Sequence, residues 1–268
     1  MTYLQKIISL LRLKGKDDSG AVLRAENLSP AEDCQEPNAE ETQGAEQMHQ
    51  PALGVCAEGA PFIFYAAFAT LIIALLGWKL PALFLLVLTF MILHFFRDPE
   101  RVVPGEEQVA VSPADGKVVA LESRAEPLTQ EIRQKISIFM NVLDVHVNRS
   151  PVQGQVQKIH YVPGKFINAA LDKSSLDNER NILQIKDEQG LQWTVVQIAG
   201  LVARRIVCRA QEQDELQKGQ RLGLIKFGSR VDLYLPEGYE IQVARGDKVF
   251  AGQTVLARTA QSTATNNG

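Results

Sequence analysis

The sequence predicts a β-rich (α+β) chain: a compact β-sandwich-like or barrel-like domain behind an N-terminal hydrophobic helical hairpin. Three observations carry this. Residues 60–96 form an intensely apolar stretch broken once by Gly77-Trp-Lys-Leu-Pro81. From about Val103 onward, short runs of β-type residues are punctuated by Gly, Pro and Asp. Finally, Leu216-Gln-Lys-Gly-Gln-Arg-Leu-Gly223 and Arg245-Gly-Asp-Lys-Val-Phe-Ala-Gly252 echo one another, each pairing glycines around a strand start.

At 268 residues the chain holds one sizeable domain with appendages. A net charge of −3 gives no basic field of the kind nucleic acid requires. Cys34, Cys56 and Cys208 are widely spaced and odd in number, so neither a disulfide framework nor a metal-ligand pair is implied, and the folded part fits a reducing compartment.

In order along the chain, residues 1–16 place Leu4, Ile7, Ile8 and Leu11 at helical spacing among Lys6, Arg12, Lys14 and Lys16. This is the pattern of a short amphipathic helix on an anionic membrane surface, or of a frayed terminal helix. Residues 17–59 are acidic and polar and too poor in large apolar side chains to offset the entropy of ordering, which reads as a disordered linker. Residues 60–98 form the membrane hairpin. Each half is shorter than the roughly 20 residues that span about 30 Å of hydrocarbon, so the pair either crosses the bilayer or dips into one leaflet. Both arrangements keep the flanks on one side, and Lys14, Lys16, Arg24, Arg97 and Arg101 make that side cytoplasmic.

The main domain covers 99–258. Its expected strands are Val109–Val111, Val118–Leu121, Lys135–Met140, Val156–Val162, Asn181–Lys186 and Leu191–Ile198, with Asp187-Glu-Gln-Gly190 turning between the last two. Pro127–Arg133 and Phe166–Leu171 are the main helical segments expected. Two further runs, Leu222–Phe227 and Val231–Leu235, meet at Gly228-Ser229-Arg230. Residues 259–268 form a loose polar tail.

Three polar clusters sit where β runs end. Val111-Ser-Pro-Ala-Asp-Gly-Lys117 is a turn in which Asp115 is ordinarily a turn former. Asn141-Val-Leu-Asp-Val-His-Val-Asn-Arg-Ser-Pro151 places Asp144 two residues before His146. On a strand the two share a face, so the acid orients the imidazole and raises its pKa. The third is Gly228-Ser229, which by itself is a bend. A serine-hydrolase elbow is absent, because Ser229 is followed by Arg230 and Val231 and no helix follows. Phosphate-loop, dinucleotide and zinc patterns are also absent.

Taken together, Phe96-Arg-Asp-Pro99, Ser112-Pro-Ala-Asp-Gly-Lys117, Asp144-Val-His-Val-Asn-Arg-Ser-Pro151, Asn178-Glu-Arg-Asn181 and Phe227-Gly-Ser-Arg-Val-Asp-Leu-Tyr-Leu-Pro236 occur in an order that resembles the phosphatidylserine decarboxylase family in its short form. The resemblance runs from about residue 60 to 258; residues 17–59 look like an insertion foreign to the family pattern. It implies a self-processing proenzyme. The Ser229 hydroxyl attacks the Gly228 carbonyl, and elimination and hydrolysis turn Ser229 into a covalent pyruvoyl cofactor. The products are a heterodimer of a β chain 1–228 and an α chain 229–268; a homo-oligomer of such units stays open. The ketone condenses with the amine of the phosphatidylserine lipid substrate and takes up the electrons released as CO₂ leaves, giving phosphatidylethanolamine. By the same resemblance His146 is the general acid and Asp115 assists self-cleavage. The longer bacterial form has a second histidine where this chain has Arg149, so a complete Asp-His-Ser processing triad does not carry over. Arg149, Arg204 and Arg205 are candidates for the lipid phosphate or for structural salt bridges. A related serine phospholipid is an alternative substrate. From another class, the alternative is a membrane-anchored, non-enzymatic lipoyl-like binding module. The implied location is the cytoplasmic face of the inner membrane, with the membrane as partner, no metal and no nucleic acid.

Overall fold

A computed structural model describes residues 54–164, 177–200, 205–226 and 228–260. The chain divides into two units, Met1–Met48 and His49–Gly268, and every described residue belongs to the second. The expected helix at 1–16, the linker as far as residue 53, the expected helix at Phe166–Leu171, and Cys34 and Arg204 lie outside the described residues.

The hairpin is present as α1 (Ala60–Leu75) and α2 (Lys79–Phe95). With the preceding 3₁₀ turn, Ala57–Leu75 makes one helical stretch of 19 residues, long and apolar enough to cross a membrane by length and composition. At 1.5 Å per residue that is about 28 Å. Lys79–Phe95 is shorter. Phe64, Leu75, Leu80, Phe84 and Phe90 stand exposed, and only Phe95 of either helix is buried. An exposed apolar surface of this extent on both helices is larger than isolated surface side chains leave. The two polar side chains facing each other across the helices satisfy themselves: Thr70 and Thr89 donate to the Ala66 and Leu85 carbonyls and lie 3.2 Å apart. The hairpin region begins earlier than expected. Val55 bridges to Arg97, Cys56 is buried, and Ala57–Gly59 form a 3₁₀ turn, so the last residues of the expected linker are structured.

The β domain contains β1 (Val109–Val111), β2 (Gly116–Ala125), β3 (Ile132–Met140), β4 (Val147–Arg149), β5 (Gly154–Val162), β6 (Arg180–Asp187) and β7 (Gln192–Ala199). It continues with β8 (Ile206–Cys208), β9 (Glu215–Leu216), β10 (Arg221–Ile225), β11 (Ser229–Tyr234), β12 (Tyr239–Ile241), β13 (Lys248–Val249) and β14 (Val255–Thr259). An eight-stranded sheet curls into a half-barrel in the order β13-β2-β3-β11-β7-β6-β5-β9, every neighbouring pair antiparallel. Two three-stranded sheets, β1-β14-β12 and β4-β10-β8, accompany it. The main core joins Val118, Ile136, Ile138, Val195, Val231, Leu233, Leu222 and Leu256, so residues of the large and small sheets share one apolar interior.

The six main strands expected are present, and so is the turn at 187–190. There the Asp187 carboxylate accepts the Gln189 and Leu191 N–H groups and the Trp193 indole N–H. Pro127–Arg133 is not a helix. The Glu126 carboxylate caps the Leu128 and Thr129 N–H groups in a single turn, and β3 begins at Ile132. The echoing glycine segments lie side by side: a side-chain carbon built at Gly252 would sit 3.6 Å from Gly219 Cα. Thr259, expected in the loose tail, closes β14 and pairs with Tyr239.

Candidate active site

The Gly228–Ser229 bond joins two sheets. β10 pairs with β4 and β8, whereas β11 pairs with β3 and β7, so the two runs around the bend are not a hairpin. Ser229 and Arg230 belong to β11 itself. The turn is made before them, where Gly228 takes φ +53°. That left-handed geometry disfavours any residue with a Cβ, although space there is open, with nothing within 4 Å of a built Cβ. Ser229 pairs with Met140 on one side and Ala199 on the other, and is fully buried. Its Oγ has no hydrogen-bond partner among the described residues. A buried hydroxyl left unpaired is costly, by roughly 1–3 kcal/mol; Ser137 and Thr194 share that state, and what sets Ser229 apart is the left-handed Gly228 directly before it.

His146 is 2 % exposed and lies at the start of β4, where its carbonyl accepts the Ile225 N–H at the end of β10. Its Nδ1 is 2.9 Å from the Asp144 backbone carbonyl. A carbonyl only accepts, so Nδ1 carries the proton and Nε2 presents its lone pair. That Nε2 is buried without a partner among the described residues. Burial pushes the imidazole pKa down to about 4, outweighing the hydrogen bond and charge of Asp144 that act the other way. The expectation of a raised pKa and a shared strand face is therefore corrected. Asp144 sits in a turn, and its carboxylate accepts the Asn141 N–H. The Phe95 ring, at the end of α2, lies against His146 with centroids 4.4 Å apart.

Asp115 is buried at the start of β2. One carboxylate oxygen accepts the Ala251 N–H at 2.7 Å and the other pairs with Arg101 at 2.8 Å. Burial raises its pKa, and those two contacts oppose the rise. The following Gly116 is needed for close approach, because a Cβ there would lie 2.2 Å from the Phe139 carbonyl oxygen. Lys117 pairs with Phe139 and Ser229 with Met140. The Asp115 and Gly228 ends therefore flank one end of β3, two strand spacings or about 10 Å apart. Asp115 has no direct contact with Ser229 among those described. The field around it is shared with His146, since Arg97 acts electrostatically on Asp115, Asp144 and His146.

The other motif residues support this frame. Asn178 donates to the Ala199 carbonyl and the Glu179 carbonyl accepts the Ala199 N–H, fixing the strand end beside Ser229. Asn181, Gln197 and Asn148 form a buried amide chain that ends 3.6 Å from the Met140 sulfur. Arg149 is structural: it pairs with Asp98 and donates to the Pro99 and Gly219 carbonyls. Arg205 is exposed, and its carbonyl accepts the Lys226 N–H. Lys226 in turn lies over the Phe62 ring of α1 at 5.3 Å. Sequence reasoning missed Phe95 and Arg101. Both flank the Phe96-Arg-Asp-Pro99 motif, which was the one available signal.

A protein-family model for phosphatidylserine decarboxylase matches residues 88–257. The phosphatidylserine decarboxylase proenzyme of Solidesulfovibrio magneticus is 54% identical over 213 residues, covering 80% of this chain and all of that protein. The proenzyme of the same name from Nitratidesulfovibrio vulgaris is 54% identical over 211 residues, 79% of this chain and 97% of the relative. One from Burkholderia mallei is 50% identical over 211 residues, 78% and 97% respectively.

Proposed function

The chain belongs to the phosphatidylserine decarboxylase family, and we propose that it performs that family's chemistry at the Gly228–Ser229 bond. It is the proenzyme of a carboxy-lyase that uses a pyruvoyl group. This displaces the non-enzymatic binding module weighed from the sequence. In our reading the substrate is phosphatidylserine and the product phosphatidylethanolamine.

The observation that carries the site assignment is the unpaired, buried Ser229 Oγ directly after a left-handed Gly228. The hydroxyl adds to the Gly228 carbonyl carbon, the peptide C–N bond breaks, and the freed nitrogen takes a proton, leaving an ester. Elimination at Ser229 Cα–H then expels the Gly228 carboxylate, and water replaces the residual nitrogen as ammonia. Neutral His146, with its Nε2 lone pair unengaged, is the acid–base group of this region, and such a group contributes typically 10²–10⁴-fold. Asp115 assists self-cleavage through the field it shares with His146 and Arg97. Arg149, committed to Asp98, takes no part in proton transfer. The pyruvoyl group at residue 229 would supply an electron sink for the bonding pair left on the substrate's α-carbon when its carboxylate departs as CO₂.

The apolar hairpin supports a site that works at a lipid surface. The His146 ring lies tilted against Phe95 at the end of α2, Arg97 donates to the His94 carbonyl and Lys226 lies over the Phe62 ring, so cations stand at the hairpin base as a cytoplasmic, anionic membrane face requires. We assign the protein to the cytoplasmic side of the inner membrane on this basis.

The test is the intact mass of the purified protein. Active material should give two chains, 1–228 and 229–268, the smaller blocked to N-terminal sequencing. Ser229→Ala should give one uncut, inactive chain. A single full-length chain with decarboxylase activity would overturn the assignment.

A further inference from the structure

We propose that the segment Phe95–Arg101, which joins the apolar hairpin to the β domain, positions both candidate catalytic side chains: the Phe95 ring positions His146, and the Arg101 guanidinium positions Asp115. The inference rests on the roles given to Ser229, His146 and Asp115 above.

The two contacts are of different kinds. Phe95 is 4 % exposed and packs in a small apolar cluster with Cys56, Phe96, Val145, Val147 and Leu224, separate from the main core. Its ring meets the His146 ring at 4.4 Å with an interplanar angle of 40°. Among the described residues the His146 side chain is held by Nδ1 alone, which leaves the imidazole free to tilt about that hydrogen bond. An aromatic face against one side removes the tilt, aims Nε2 and keeps water from it. Arg101 reaches Asp115 through Nη2 at 2.8 Å, while its Nη1 donates to the Gln253 side chain at 2.8 Å. The fork therefore fixes the carboxylate in direction and supplies a positive charge where burial favours the neutral acid.

Between these ends the segment is pinned throughout. Arg97 donates to the Leu143 carbonyl in the turn that carries Asp144. Asp98 pairs with Arg149 and Arg221, and its N–H donates to the Gly54 carbonyl at 2.6 Å. Glu100 pairs with Arg221. A rigid strap held at both ends places the two groups relative to each other. The hairpin is thus part of the site as well as its anchor.

The test follows self-cleavage of the full chain made by cell-free synthesis with lipid vesicles, reading the small fragment by mass over time and across pH. The charged groups that face Asp115 are Arg101, Arg97 and Asp144, and those that face His146 are Asp144 and Arg97. Arg101→Gln should move the acidic limb of the cleavage-rate profile up by about one pH unit or more, because an adjacent opposite charge lowers a carboxyl pKa by one to three. Arg101→Lys, which keeps the charge but loses the fork, should leave the limb in place and cleave more slowly. Phe95→Leu should slow cleavage at least about tenfold at every pH, a loss in keeping with small misplacements of a reacting group. Arg101→Gln with an unmoved limb, or Phe95→Leu cleaving at the wild-type rate, would overturn the inference. Wild-type chain that stays uncut would instead overturn the self-cleavage reading on which it rests.

Discussion

At the scale of single residues, the site depends on polar atoms that the fold buries and leaves unpaired. His146 shows what this costs. Its ordinary pKa of about 6.5 falls to about 4 in the folded protein, so the folded state binds fewer protons than the unfolded one across that interval. The sign follows: the contribution is complete above pH 6.5 and is lost as pH falls from 6.5 to 4, to a total of about 3 kcal/mol. Asp115 acts in the opposite sense, because a raised carboxyl pKa favours the folded state as pH falls. The comparison that isolates His146 is the urea midpoint of uncut Ser229→Ala protein with and without His146→Gln. The midpoint should drop steeply between pH 6.5 and 4 in the first and much less in the second. Parallel curves would mean that His146 is not held neutral by burial.

At the scale of elements, the left-handed turn at Gly228 delivers β10 of one sheet into β11 of another. Alanine at 228 meets no neighbour but must hold φ +53°, which costs about 1–2 kcal/mol. On the uncut Ser229→Ala background, Gly228→Ala should lower unfolding free energy by roughly that amount. On the Ser229 background it should slow cleavage, since the carbonyl under attack is the one whose orientation the turn fixes. Unchanged stability and rate would show that the turn relaxes freely. Much of this level was legible in the sequence. Strands as long as β3, β5, β6 and β7 carry enough residues to show a period of two. β4, β8, β9, β12 and β13, of two or three residues each, are too short to show any. Alternation also says nothing about whether both faces are covered. Arg230 and Asp232 alternate with Val231 and Leu233 as a solvent face would, yet both are buried, paired with each other and near Lys135. His146 was found as a residue, but its environment was not. Its Asp144 partner acts through the backbone, and its Phe95 partner comes from a helix some fifty positions away.

At the scale of the whole molecule, the proposed cut would leave a small chain woven into a large one. β11 is an inner strand whose residues Ser229 to Tyr234 all pair with β3 on one side and β7 on the other. β13 closes the edge beside β2, and β12 and β14 form a sheet with β1. Cleavage at Gly228–Ser229, as proposed, would break one covalent bond and no strand pairing. The buried side chains Val231, Leu233, Leu235, Val249 and Leu256 all belong to the small chain. At about 1.5–3 kcal/mol each they contribute roughly 7–15 kcal/mol, comparable to the 4–15 kcal/mol or so that holding two separate chains together costs, before any strand hydrogen bond is added. The two chains should therefore co-elute from size exclusion in mild detergent in equal amounts, remain together on hundredfold dilution, and part only in denaturant. Once parted, they should recover activity poorly, because β11 must reinsert between two strands that lose their pairing partner when it leaves. Dissociation on dilution with the large chain still folded would contradict the account, since it would mean that the half-barrel keeps its form without its central strand.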